Sequence, residues 1–391
     1  MKAPKVLGPL ALIAACASSI AFLGAAYFAR RVVVPSTTRR EDLSIRQVFS
    51  GEDGSLRIEL PATPLTRAPG RYSLWFGNGK GHACIGAVIA EDTRAEAVTR
   101  LVERVDSGDL HAATAGIWSG YTYSKPEQLG LPFEDVEIQV DGGMAPAWKF
   151  APTAAGPVSS TWAIHAHGMG GKRAGALRGV PVASRLGITS LVVSFRNDGE
   201  APPSNDSRYL LSQNEWLDVE AAIRYAVDHG AERLVLFGWS LGGSMALRAA
   251  NLSAHSNRII GLVIVAPVLD WAETLTSNGS ASGLPEVVAR VGLRLLGSDA
   301  GRWVTGLSQS IDLSALDWVT RAGDLSTPTL ILHGINDRST PVAVSERFAE
   351  LRPDLVQLVP FDVPGHSLEW NADTEKWESS VRRFLRSLPA D

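Results

Sequence analysis

The sequence predicts an α/β protein whose sheet is mostly parallel and covered by helices on both faces. Three observations carry this. From about Glu134 onwards, continuous apolar runs alternate with helical stretches, as buried parallel strands and their crossovers do. One junction, "RLVLFGWSLGGSMALRAA" (Arg233–Ala250), passes from such a run through Gly-x-Ser-x-Gly straight into a helix former. Ahead of the alternation lie a long uncharged run and a glycine-broken segment of different character.

The 391 residues are 45% apolar and 20% charged, the mixture of a globular chain with a sizeable core. A formal net charge of −4, with no block of like charges, excludes a nucleic-acid partner. Only Cys16 and Cys84 are present, so the folded part holds one thiol and no internal disulfide. Cys84 reads as a small buried residue rather than a nucleophile.

The first element is "VLGPLALIAACASSIAFLGAAYFA" (Val6–Ala29), flanked by Lys2 and Lys5 before it and Arg30 and Arg31 after it. As a helix it would reach about 36 Å, against a hydrocarbon core of about 30 Å. It exceeds the apolar core of a secretory signal, about 7–15 residues. Residues 1–31 are therefore expected to be an uncleaved transmembrane anchor, single-pass in the cell membrane. Gly24-Ala25-Ala26 as a cleavage site and "IAAC" (Ile13–Cys16) as a lipoprotein box are the alternatives. Counting Arg39 and Arg40 with Arg30 and Arg31, the downstream side is more basic by one charge, which tips the body towards the cytoplasm.

Residues 32–133 are expected to form a tether and a small α+β region. "YSLWFG" and "ACIGAVIA" are rich in strand formers. "TRAEAVTRLVERV" places Ala95, Val98, Leu101, Val102 and Val105 on one helical face, and Thr93 with Glu96 reads as a capping box. Nothing in this region points to chemistry.

In residues 134–391, "VEIQV", "APAWKFA", "TWAIHAHG" and "SLVVSFRND" read as strands. "SQNEWLDVEAAIRYAVDHG" is an amphipathic helix stopped at Gly230. "RLVLFG", "GLVIVAPVLD", "TPTLILHGIND" and "VQLVPFDVPGHS" supply further strands, and "EKWESSVRRFLRSL" closes the chain as a helix. Residues 271–326, too long for a plain connection, contain "LPEVVARVGLRLLG". They read as a helical lid, whose stripe of Val287, Val288, Val291 and Leu295 would either line the site beside Met169 and Trp239 or dock onto the body.

Ser240 is the candidate nucleophile. Gly238 and Gly242 remove side chains where the turn brings strand and helix backbones together, which leaves the hydroxyl exposed at a helix N-terminus. A serine hydroxyl needs a positioned base, and the base an orienting acid. The loops after "LILHGIND" and "FDVPGHS" deliver Asp337 and His366, in the order Ser, Asp, His. Leu241, directly after the nucleophile, and Met169, in "HAHGMGG", would donate backbone N–H groups to an oxyanion. His333 reads as a bracing residue and Asp270 as a rival acid. His165 and His167 share a strand face but lack a third ligand at a recognisable spacing, so no metal is expected. No cofactor is implied.

With "HGMGG", "GWSLGG", "HGINDRSTPV" and "GHSLEWN" in place, residues 134–391 resemble the α/β-hydrolase superfamily, in its serine-aminopeptidase and prolyl-oligopeptidase-like branches. The resemblance implies an eight-stranded, mostly parallel sheet with a lid after the sixth strand. It also implies Ser240 as nucleophile, His366 as base, Asp337 as orienting acid, and Met169 and Leu241 as the oxyanion hole. "FRND" (Phe195–Asp198) stands where many relatives carry Arg-Gly, and the N-terminal region is too short for the propeller of true prolyl oligopeptidases, so peptidase activity is not implied. The expected function is a membrane-anchored serine hydrolase acting on a small-molecule ester, thioester or amide. The alternative is a non-catalytic binding or scaffold protein that keeps the fold.

Overall fold

A computed structural model describes residues 7–36, 40–153 and 159–389. Helix α1 (Leu7–Val33) comes first. Seven strands follow: β1 (Leu43–Ser44), β2 (Gln47–Ser50), β3 (Leu56–Pro61), then one helical turn α2 (Pro64–Arg67), then β4 (Tyr72–Phe76), β5 (Gly81–Asp92), β6 (Ala97–Ser107) and β7 (Ala115–Ser119). They make one antiparallel sheet in the order β1-β7-β4-β5-β6-β3-β2.

This region is nearly all β, not α+β. The stretch expected as a helix is strand β6, which pairs with β3 on one side and β5 on the other. Val98, Arg100 and Val102 point to the buried face in strict alternation. An arginine in the middle of that row hides the period of two. The guanidinium is accommodated because it donates to four carbonyls, those of Gly86, Thr66, Ala68 and Gly70, all at 2.8 Å.

The second sheet starts with the antiparallel hairpin β8 (Phe133–Val140) and β9 (Gly143–Phe150). Next come β10 (Thr161–Ala166), α3 (Val180–Ser184), β11 (Thr189–Val193), α4 (Trp216–Asp228), β12 (Arg233–Trp239), α5 (Leu241–Leu252) and β13 (Ile259–Val265). Helices α6 (Trp271–Ala281), α7 (Glu286–Leu296) and α8 (Asp299–Thr305) intervene before β14 (Thr329–Gly334). Then α9 (Val342–Leu351), β15 (Val356–Phe361), α10 (Glu369–Ala372) and α11 (Thr374–Ser387) complete the chain. The order is β15-β14-β13-β12-β10-β11-β9-β8, with β10 to β15 mutually parallel. One face packs on α4 and α5 through Val219, Ile223 and Met245. The other packs on α3 and α11 through Val180, Trp377 and Phe384. Sandwiched in this way, β10, β11 and β14 are buried at every position, which is why they read as unbroken apolar runs.

The inserted helices do not line the cavity that Ser240 faces. Of the expected stripe, Val288 is buried while Val287 is 55% exposed, and α7 packs on α1. Phe28 lies against Gly292, where a Cβ would be 2.7 Å from its ring, and Val288 reaches Gly24. Ala25, Ala29 and Val33 of α1 are fully buried, whereas Leu23 and Tyr27 on its other side are exposed. The Val33 carbonyl accepts from Tyr209 N–H at 2.8 Å. The second half of the apolar run is thus part of the core of the body. Among the described residues, no helix is long and apolar enough to cross a membrane. Lys2, Lys5, Val6 and Arg39, on which the anchor and its sidedness were read, lie outside them.

Candidate active site

Ser240 occupies the sharp turn between β12 and α5 at φ 54°, ψ −114°, a conformation that non-glycine residues rarely adopt. Its N–H donates to Val265 O at 2.9 Å, which ties the turn to β13. The flanking glycines are a steric requirement. A Cβ on Gly238 would overlap Gly242 O, and one on Gly242 would overlap Ala166 O. Leu241 opens α5, so its N–H is one of that helix's unpaired first-turn donors.

Asp337 follows β14 and His366 follows β15, and His366 Nδ1 lies 2.7 Å from Asp337 Oδ2. The second carboxylate oxygen, Oδ1, accepts N–H groups from Ser339 at 2.7 Å and Thr340 at 3.1 Å. Thr340 Oγ1 donates to Oδ2 at 2.9 Å. Burial works against the charge on Asp337, but hydrogen bonds from His333 and His366 outweigh it and hold its carboxyl well below the usual carboxylate range. For His366, burial favours the neutral ring, yet the hydrogen bond and charge of Asp337 prevail and raise its pKa. Its side chain keeps 27% of its surface exposed, towards the cavity.

The loop after β10 is braced on two sides. His167 Nε2 is 3.1 Å from Asp198 Oδ2, while its Nδ1 is 2.8 Å from Gly168 O. Gly170 N–H donates to Tyr209 Oη, which itself donates to Asn197 O at 2.9 Å. Gly171 N–H donates to Gly168 O. Gly168 lies directly against Ser240, a Cβ there being 3.2 Å from the serine Cβ. Asn197 stands at φ 70°. Its side chain stabilises the turn by donating to Arg208 O and accepting from Ser204 N–H.

Ser240, His366 and Met169 line one cavity of about 280 Å³. Its other walls were not legible in the sequence. Leu65, Trp118 and Tyr121 come from the N-terminal sheet region, and Arg178 and Leu368 from the region of the second sheet. Arg178 is fully buried, donating to Ser367 O at 2.9 Å and Asn371 Oδ1 at 2.6 Å, and burial lowers its pKa to about 10. Asn371 Nδ2 in turn donates to Arg71 O at 2.7 Å and Gly120 O at 3.1 Å. One side chain therefore joins the His366 loop to the N-terminal sheet. Glu369 is also buried, accepting from Gly334 N–H at 2.9 Å, and burial raises its pKa.

The competing residues lie elsewhere or do other work. Asp270 caps α6 by accepting from Glu273 N–H. His333 is buried between Ser345 and Thr340, 3.6 Å from Asp337, and braces the acid loop. His165 stacks on Phe237 and contacts Ser190 Oγ, so it diverges from His167. Among the described residues, no cluster of three or more His, Cys, Asp or Glu is placed to hold a metal ion. Cys84 is buried, and burial with the nearby Glu103 pushes its thiol up to about 12, far from a reactive thiolate.

The prolyl oligopeptidase family model matches residues 204–388. Residues 45–119 match a family described as a domain of unknown function (DUF8805). A comparison with curated proteins finds no match. An esterase from Pyrococcus furiosus shares the fold at TM-score 0.52 and 18% identity, over 68% of this chain and 94% of its own. A serine hydrolase homologue from Coxiella burnetii (TM-score 0.44, 19% identity, 64% and 96% covered) and an esterase from a Rhodococcus species (0.44, 21%, 66% and 99%) are more distant in shape.

Proposed function

We propose that this prolyl-oligopeptidase-like member of the α/β-hydrolase superfamily, a serine hydrolase, cleaves a small-molecule ester, thioester or amide through an acyl-enzyme on Ser240. The observation that carries the reading is the 2.7 Å contact of His366 with Asp337, made where His366 and the strained Ser240 face one cavity.

In the first half-reaction Ser240 Oγ attacks the acyl carbon while His366 Nε2 takes its proton. Asp337 holds Nδ1–H and stabilises the imidazolium. The carbonyl oxygen, now an anion, accepts from the N–H groups of Met169 and Leu241. Collapse expels the leaving group, which takes the proton from His366. Water then attacks the acyl-serine with His366 again as base, releasing the acid and restoring Ser240. A fluorophosphonate probe should label wild-type protein and fail to label Ser240→Ala. That variant should lose at least about 10³-fold in kcat with its melting temperature preserved. A labelled or hydrolytically competent Ser240→Ala protein would refute the assignment, and an unlabelled wild type would favour a binding role.

The same proposal keeps a membrane attachment through Val6–Ala29, with the catalytic body on the cytoplasmic side. Its support is the uncharged run and the flanking basic residues. From Gly24 onwards one face of the run packs on the body, so less than its full length is left for lipid. Attachment would then be by insertion rather than by a full crossing. Release into the soluble fraction by alkaline carbonate would count against a spanning anchor, and release by salt alone against insertion.

A further inference from the structure

We propose that the N-terminal sheet region, not the inserted helices, is the substrate-binding wall of the enzyme, and that it restricts the site to esters of short acyl groups. This rests on the serine-hydrolase reading of the same site. Leu65, at the turn α2, touches the His366 side of the cavity, where a Cβ on Gly365 would be 2.9 Å from its Cδ2. Tyr121 also lines it, its hydroxyl and ring filling the space that side chains at Gly171 and Gly175 would need. Trp118 lines the same cavity. The cavity, of about 280 Å³ and open to solvent on one side, is smaller than the roughly 300–1,000 Å³ of sites for drug-sized ligands. None of the residues of α6, α7 or α8 lines it.

The wall is also rigidly built. Arg100 bonds the carbonyls of Thr66, Ala68 and Gly70, which fixes the segment that carries Leu65. The same guanidinium lies 5.4 Å from the Trp118 ring centre and 5.3 Å from that of Tyr72. Tyr72 stacks on Trp118 at 5.0 Å. Asn371 completes the closure by joining Gly120 to the loop that carries His366. Trp118, with Leu65 and Tyr121 beside it, is thereby a specificity-determining residue.

The test compares methyl butyrate with methyl octanoate, by acid release from the full-length enzyme and by equilibrium binding to Ser240→Ala protein. Wild type should prefer the butyrate by at least tenfold in kcat/KM. Trp118→Ala should bring the two esters within about threefold by raising the octanoate kcat/KM relative to the butyrate, and Leu65→Ala should shift the preference the same way. Val291→Ala, on the inserted helices, should leave it unaltered. An unchanged preference in Trp118→Ala and Leu65→Ala proteins that melt like wild type overturns the wall, as does an equal shift in Val291→Ala. If neither ester is hydrolysed and a fluorophosphonate leaves Ser240 unlabelled, the hydrolase reading fails. The wall is then still judged by whether Trp118→Ala on the Ser240→Ala background gains octanoate binding.

Discussion

His366 is where pH should act. Its pKa is raised because Asp337 stabilises the protonated ring, and only the neutral ring can take the Ser240 proton. Activity should therefore fall as pH drops through a value above the ordinary histidine value near 6.5. Asp337→Asn removes the stabilising charge, so it should move this acidic limb to lower pH and reduce kcat by about 10³–10⁴-fold. A kcat/KM profile from pH 5 to 9 checks both, and a limb that does not move in Asp337→Asn would remove Asp337 from the triad. That Ser240, Asp337 and His366 come together could be expected because each follows closely on an apolar strand, within a short, contiguous pattern. Arg178 and Asn371 were not legible, because their meaning lies in partners distant along the chain: Ser367 for one, Arg71 and Gly120 for the other. Asn371 even closes the quoted "GHSLEWN", but nothing local marks a side chain that bonds another region's backbone.

At the scale of elements, the strands and helices of the catalytic part could be read because each is buried in its own period. The N-terminal sheet could not. Strand β6 owes its conformation to hydrogen-bonded neighbours on both edges, and its helical pattern is incidental. Helix α1 misleads in another way. An uncharged run reads alike whether it meets lipid or protein, and from Gly24 onwards one face of it meets protein. Deleting residues 1–34 strips Phe28, Ala29 and Val33 from the body, whereas deleting 1–20 leaves them docked. The longer deletion should lower stability by several kcal/mol, about 3 of them from Phe28, and the melting temperature by several degrees. The shorter one should melt within a degree or two of the full chain. Equal melting temperatures in thermal unfolding would mean that the packing of α1 on α7 contributes nothing.

On the scale of the whole molecule, the wall region lies between two elements that both belong to the catalytic body, α1 before it and β8 after it. The cavity is thus lined from two regions of one chain, by Ser240 and His366 from one and Trp118 and Tyr121 from the other. A covalent link at each end keeps the wall's effective concentration near the body in the millimolar range. If it lifts to admit substrate or release product, reclosure is an intramolecular event whose rate does not depend on how much enzyme is present. Specific activity should accordingly stay constant on dilution from micromolar to picomolar. A wall supplied by a separate subunit would instead dissociate, and the short-chain preference would disappear with it.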